Sequence, residues 1–420
     1  MLNFKLTLLL IVVGFHSFSQ IEDYKRITST LCSPEFHGRG YVNKGDSIAA
    51  DFIKNEFIKI GLKKRKRSFI QQFELDINTF PNKMFVQIDG KSLIPGIDFI
   101  VEPQSGGFDG GVYPKELTVD DFLSEEVLAT LINDIQQQDF KYNSIIYNSV
   151  GIQQDTNQEI HSIINQIIQF VPVIEIVDTK FMWSVGRQQT KFPYIKIQKD
   201  VNISDSIYIQ IDAVFEEKYS SQNVIAYLPS NKLNAKTIVV TAHYDHLGRL
   251  GKDTYFPGAN DNASGIGVML SIAKYFRNNK LNKNLLFIAF GGEEAGLIGS
   301  QYFVNHPNYS LKKIDFVLNI DIMGSGDEGI TVVNAIEQGN AFHLLEQINQ
   351  DKNLLGNIKK RGQTENSDHF WFSENGVPAI FVYTRGSNKN YHDIKDAYDQ
   401  LVFEEVEDLV ELFTSFIISF

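Results

Sequence analysis

Apolar residues recur on one helical face between Lys44 and Leu62, at Ile48, Ala49, Phe52, Ile53, Phe57 and Ile58, and that spacing predicts an amphipathic helix. Gly61 is placed to end it. The stretch Phe69–Phe73 has weak strand character. This N-terminal unit is too small for a large core of its own and is expected to pack on the C-terminal half. From Asn78 to Glu217 the pattern changes. Short strand-like runs at Met84–Ile88, Tyr142–Tyr147 and Tyr194–Ile197 alternate with turns rich in Gly, Asn and Asp, with helical pieces near Asp120–Ile132 and Gln158–Phe170. This region is expected to be a separate or inserted module.

Beyond Gln222 strands and helices alternate. Thr237–Thr241, Leu285–Phe290, Phe316–Ile320, Gly329–Val333 and Pro378–Tyr383 are strand-like, while Ala263–Phe276, Leu297–Phe303 and Glu404–Ile418 carry helical periodicity. The expected fold is α/β, a mixed central sheet covered by helices on both faces, with a second, smaller strand-rich domain. In such folds ligands collect beyond the carboxyl ends of the strands.

Composition refines this picture at three points. The first residues resemble an export leader: Lys5, an apolar run from Leu8 to Val13, and small residues Ser17 and Ser19 before a cut expected after residue 19. The run is shorter than the roughly 20 residues needed to span hydrocarbon, so no stable membrane insertion is expected after cleavage. An exported protein, periplasmic or extracellular, is the expectation, and the single cysteine, Cys32, has no intramolecular partner for a disulfide. The formal net charge of -12 argues against a nucleic-acid partner. The basic run Lys63–Arg67 is a local exception, expected at the entrance to a strand. The sequence carries no signal for oligomeric state.

The polar residues at the strand ends carry the candidate chemistry. His243 ends a strand, and Asp245 is close enough to turn back onto its second ring nitrogen, fixing the tautomer of a liganding imidazole. Asp261 sits among small residues in Pro257–Gly265; it is either a helix N-cap or a carboxylate whose two oxygens bridge two metals. Glu293 and Glu294 follow an apolar strand, and adjacent buried carboxylates are costly unless they do different work. One is expected to bind metal and the other to manage protons. Asp321 interrupts an apolar strand, a position that coordination would relieve. His392 adds a second imidazole, and Tyr391 a hydroxyl near a developing oxyanion. His243, Asp261, Glu294, Asp321 and His392 together suit zinc, although cobalt or manganese could use the same donors. His246 reads as a polar loop residue.

The motifs HYDHLG, PGANDNASG, GGEEAGLIGS, NIDIMG, SDHFWF and YHDIKD occur in that order from Thr237 to Asp396 and resemble those of the M28 family of zinc exopeptidases. The resemblance implies two Zn2+ ions, one held by His243, Asp261 and Asp321 and the other by Asp261, Glu294 and His392. It implies Glu293 as general base, Asp245 as the partner behind a ligand, Tyr391 as stabiliser of the tetrahedral intermediate, and Asp368 and His369 packed beside the site. The implied activity is hydrolysis of peptide substrates by a water activated between two zinc ions, in the aminopeptidase direction. A carboxypeptidase or dipeptidase, with Arg361 or Arg385 recognising a substrate carboxylate, and a glutaminyl cyclase-like single-zinc enzyme are the alternatives. FHGRGYVNKGDSIAADFI resembles the entry region of longer members, in which a protease-associated domain interrupts the chain. The expected division is a leader at 1–19, the first part of the catalytic domain at 20–77, the inserted domain at 78–217 and the catalytic domain at 218–420.

Overall fold

Four buried strands, Asn284–Phe290, Thr237–His243, Ile314–Asp321 and Ala379–Thr384, lie side by side and parallel in that order. They form the centre of a nine-stranded mixed sheet in a computed structural model that describes residues 21–137, 140–204 and 206–420. The leader expected at 1–19 lies outside the described residues. Val214–Leu228 adds antiparallel on one side and Ile330–Val333 antiparallel on the other. Every residue of Thr237–His243 and Asn284–Phe290 is buried, which is why these runs read as continuous apolar stretches.

Successive side chains of a strand point to opposite faces, and the core divides accordingly. Ile238, Val240, Leu285, Phe287, Phe316 and Leu318 face one cluster; Val239, Leu286, Ile288 and Val317 face the other. The helices Gly45–Ile60, Gly265–Asn278, Gly339–Lys352 and Val406–Ser419 cover the first face. Ile298–Asn305 and His369–Glu374 cover the second. Gly61 ends the first of these helices with φ 86°, in the left-handed region that favours glycine.

The structure differs from the sequence pattern in several places. The weak strand near Phe69–Phe73 is a ten-residue strand, Ile70–Thr79, paired along Val214–Leu228. The single helix expected over Asp120–Ile132 is two, Val119–Leu123 and Glu125–Gln136. Ser124 between them is extended, and its hydroxyl accepts a hydrogen bond from the Val127 amide as the N-cap of the second helix. Helix Gly339–Lys352 has no counterpart in the sequence reading.

The chain leaves the nine-stranded sheet after Thr79 and returns at Val214, and these two residues are paired. Between them lie a five-stranded and a four-stranded sheet. The core they share takes in Leu247, Leu250, Phe256 and Ile394 from the C-terminal half, so the module and the loops beyond the strand ends are packed together.

The five-stranded sheet buries a charge. Glu175 is 1% exposed and accepts from the Tyr194 hydroxyl, with His161 Nε2 at 3.5 Å and Lys196 Nζ at 3.9 Å. Burial alone would raise this carboxyl, but His161, Lys196, Ser149 and Tyr194 outweigh it and hold the pKa at about 2. A depressed carboxyl contributes stability above its unfolded pKa, and that contribution is lost as pH falls through the folded value. The window here runs from 4.5 down to about 2, and the contribution is about 3 kcal/mol. Glu175→Gln should lower the urea midpoint at pH 7 and flatten its decline towards pH 3. Midpoints equal to wild type at both pH values would contradict this assignment.

Candidate metal centre

His243 is the last residue of its strand and 2% exposed. Its Nε2 lies 3.2 Å from Asp261 Oδ1 and 3.3 Å from Asp321 Oδ1. Its Nδ1 donates to the Asp245 carbonyl at 3.1 Å, so in the neutral ring Nε2 is the nitrogen that carries the lone pair a metal would take. The backbone of Asp245, and not its carboxylate, therefore occupies the place the sequence assigned to the side chain. The Asp245 carboxylate is 3.9 Å from that nitrogen and accepts instead from the amides of Glu293 at 3.1 Å and Glu294 at 3.3 Å. Those two N–H groups open a turn with no strand partner, and the carboxylate satisfies both.

Asp261 is not a helix N-cap, since the regular helix begins at Gly265. Its Oδ1 faces His243 and its Oδ2 lies 3.3 Å from His392 Nε2. Two buried groups fix the loop that carries it. The Asp396 carboxylate accepts from the amides of Asn260 at 2.9 Å and Asp261 at 3.0 Å. Arg39, fully buried, donates to the carbonyls of Leu31, Tyr244, Pro257, Gly258 and Asp261. The small residues of this loop allow that approach: a β-carbon on Gly258 would lie 2.3 Å from His246 Cδ2.

Glu294 completes the second group. Its Oε2 is 3.1 Å from His392 Nε2, and its Oε1 accepts from His246 Nδ1 at 2.7 Å. His246, read from sequence as a bland loop residue, is fully buried and holds one oxygen of Glu294 while the other turns to His392. The side chain of Glu293 enters none of these contacts. Burial raises its pKa well above the carboxylate range against the opposing charge of His243, and the charges of Glu294, Asp368 and Asp321 add to the rise. Burial pushes Glu294 the same way, but His392 and His246 overcome it and lower its pKa. The adjacent glutamates thus differ in both contact and proton affinity.

The remaining candidates lie around this group. Tyr391 is 50% exposed, and its ring stacks on His392 with centroids 3.9 Å apart. Asp368 is fully buried with neither carboxylate oxygen hydrogen-bonded, and burial raises its pKa to about 7. His369 packs against Phe381 at 5.3 Å with both ring nitrogens unpartnered, and burial lowers its pKa to about 4. It touches none of the five converging side chains. Arg361 reaches the Tyr383 hydroxyl at 3.5 Å, and Arg385 is half-buried; neither pairs with a member of the group.

The donors fit a metal. Ligand atoms of His243, Asp261 and Asp321 lie within 4.8 Å of one another, as do those of His246, Asp261 and Glu294. His392 Nε2 and Asp321 Oδ1 approach their neighbours yet form no hydrogen bond, so their lone pairs converge without being aimed at one another. Two ligands at about 2.0–2.1 Å from a tetrahedral zinc are about 3.3 Å apart, and the contacts among these five residues run from 3.1 to 3.3 Å. Three buried carboxylates that form no ion pair with a lysine or arginine among the described residues would otherwise be strongly unfavourable.

The family model described as Peptidase family M28 matches residues 223–417. Aminopeptidase YwaD of Bacillus subtilis is 32% identical over 206 residues, covering 47% of this chain and 44% of that protein. A probable leucine aminopeptidase of Trichophyton verrucosum is 26% identical, covering 50% of this chain and 60% of its own length. The chain thus spans about half the length of these curated relatives. Among solved structures, BSAP, a zinc aminopeptidase from Bacillus subtilis, shares the fold, with a TM-score of 0.69 over 95% of this chain and 94% of that chain at 19% identity.

Proposed function

Because residues 223–417 make this chain a member of peptidase family M28, we propose that it is a zinc-dependent aminopeptidase acting on peptides with a free N-terminus, and that its centre takes two ions. The observation that carries the number is the division of Asp261, whose two oxygens face different imidazoles, His243 at 3.2 Å and His392 at 3.3 Å. Bound zinc supplies Lewis acidity, polarising a carbonyl and acidifying water. His243 and Asp321 hold one side of the centre; Glu294, positioned by His246, and His392 hold the other. Glu293 stands off these ligands with a raised proton affinity, which suits a carboxylate that takes the proton of the attacking water and returns it to the departing amine. Tyr391 is at the exposed rim beside His392 and offers a hydroxyl to charge developing on the carbonyl oxygen. The printed names of the Bacillus and Trichophyton relatives support the aminopeptidase direction, and the leader pattern at 1–19 supports export.

The test is a panel of peptides with free and blocked termini, with zinc measured in the same preparation. Stepwise release of N-terminal residues, abolished by N-acetylation and indifferent to C-terminal amidation, is expected. Cleavage that requires a free C-terminus would overturn the direction, and turnover undiminished after zinc removal would overturn the chemistry.

A further inference from the structure

The segment that carries His392, residues 389–396, contains no helix or strand, so its position depends on its ties to other elements. His392 itself has φ 54°, a left-handed backbone that a residue with a β-carbon adopts when its surroundings over-determine it. At the C-terminal end the tie is Asp396, which accepts from the amides of Asn260 and Asp261. At the other end a strap of the inserted module makes the attachment. The amide of Trp183 donates to the carbonyl of His392 at 3.1 Å. Lys180 Nζ lies 3.1 Å from Asp393 Oδ2 and donates to the Lys389 carbonyl at 2.8 Å.

The strap is itself anchored. Trp183 Nε1 donates to the Val101 carbonyl at 2.7 Å inside the module. Its ring stacks on Phe256 of the catalytic half, with centroids 5.1 Å apart and planes 8° from parallel. Ile394, two residues past the imidazole, packs into the module's own core. The contacts thus run from the module's core through Trp183 to the main chain of a candidate ligand, and flank it with an ion pair at the next residue.

We infer that Lys180 and Trp183 are positioning residues for the His392 half of the metal centre, so that the inserted module completes the site in addition to bordering it. The inference rests on the two-zinc reading. It assigns the module an effect on one ion only, because His243 and Asp321 end strands of the central sheet and receive no contact from the strap. Groups that orient a ligand from behind typically change metal affinity by about 10–100-fold.

The experiment is a zinc titration of the metal-free, full-length protein against a competing chelator, in wild type and in Lys180→Ala, Lys180→Arg and Trp183→Phe. Lys180 is 43% exposed in its side chain, so its truncation leaves the core intact, and phenylalanine keeps the stack on Phe256 while removing the Nε1 donor. In Lys180→Ala and Trp183→Phe one of two zinc-binding steps should weaken about tenfold while the other holds its wild-type affinity. Lys180→Arg should restore both, and the thermal midpoint of metal-free Lys180→Ala should be unchanged, while Trp183→Phe, which orphans the Val101 carbonyl, should lower its own midpoint and still weaken one step only. Wild-type affinity at both steps in both variants would overturn the inference, as would equal weakening of both steps with a lowered metal-free midpoint. A wild-type protein that binds no zinc would instead overturn the reading of function on which the inference stands.

Discussion

Glu293→Gln should bind zinc as the wild type does and lose about a thousandfold in kcat, within the range of 10²–10⁴ that a positioned general base contributes. The amide is nearly isosteric with the carboxylate but cannot take a proton. Glu293 makes no contact with the converging imidazoles and carboxylates, so the substitution leaves the donors in place. Glu294→Gln should do the opposite. It replaces the oxygen 3.1 Å from His392 or disturbs the hydrogen bond from His246, and it should weaken zinc binding before anything else. The pH profile separates the two roles further. A base must be deprotonated to act, so activity falls as pH drops through its pKa, and Glu293 as the base sets the acid limb of kcat/KM in the wild type. That limb should disappear in Glu293→Gln. Loss of zinc from Glu293→Gln, or a kcat within tenfold of wild type, would contradict the assignment.

Arg39→Met is expected to have the largest effect on stability. The guanidinium is fully buried and in no salt bridge; its partners are five backbone carbonyls from three separate stretches of chain. Methionine fills part of the volume but leaves those carbonyls without donors, each costing about 1–3 kcal/mol where water does not enter. With partial hydration of the space the net loss should be about 3–5 kcal/mol. Two of the carbonyls, Gly258 and Asp261, belong to the loop that presents the central carboxylate, so zinc affinity should fall together with the urea midpoint. Arg39→Lys, which keeps the charge but not the planar fork, should lie between. A methionine variant with wild-type midpoint and wild-type zinc affinity would remove Arg39 from the account.

The parts of this protein that were legible in sequence are those where one residue type has one physical use. Leu285–Phe290 reads as a strand because both its faces are buried; the structure begins it one residue earlier, at Asn284, whose side chain is satisfied by the Ala235 carbonyl at 2.8 Å. His243 and Asp321 stand out because polar residues end strands that are otherwise apolar. Helix Gly339–Lys352 was missed because only Ala341, Phe342, Leu345 and Ile348 of its residues are buried, too thin a stripe among asparagines and glutamines. The contributions of Arg39 and His246 were not legible, because their partners come from distant parts of the chain: Arg39 reaches carbonyls more than 200 residues away, and His246 a carboxylate 48 residues away. Asp245 shows the limit of local spacing. A carboxylate two residues from a histidine is within reach of its ring, yet the nearer carbonyl takes that place and the side chain turns to a pair of unsatisfied amides.

The central claim is that Asp261 joins two donor groups into one two-zinc centre. Anomalous scattering at the zinc edge from crystals of the metal-loaded protein tests it most directly. The account predicts two peaks flanking Asp261, one beside His243 and Asp321 and the other beside Glu294 and His392. A single peak at full occupancy, or peaks that leave Asp261 outside the coordination of either ion, would contradict it.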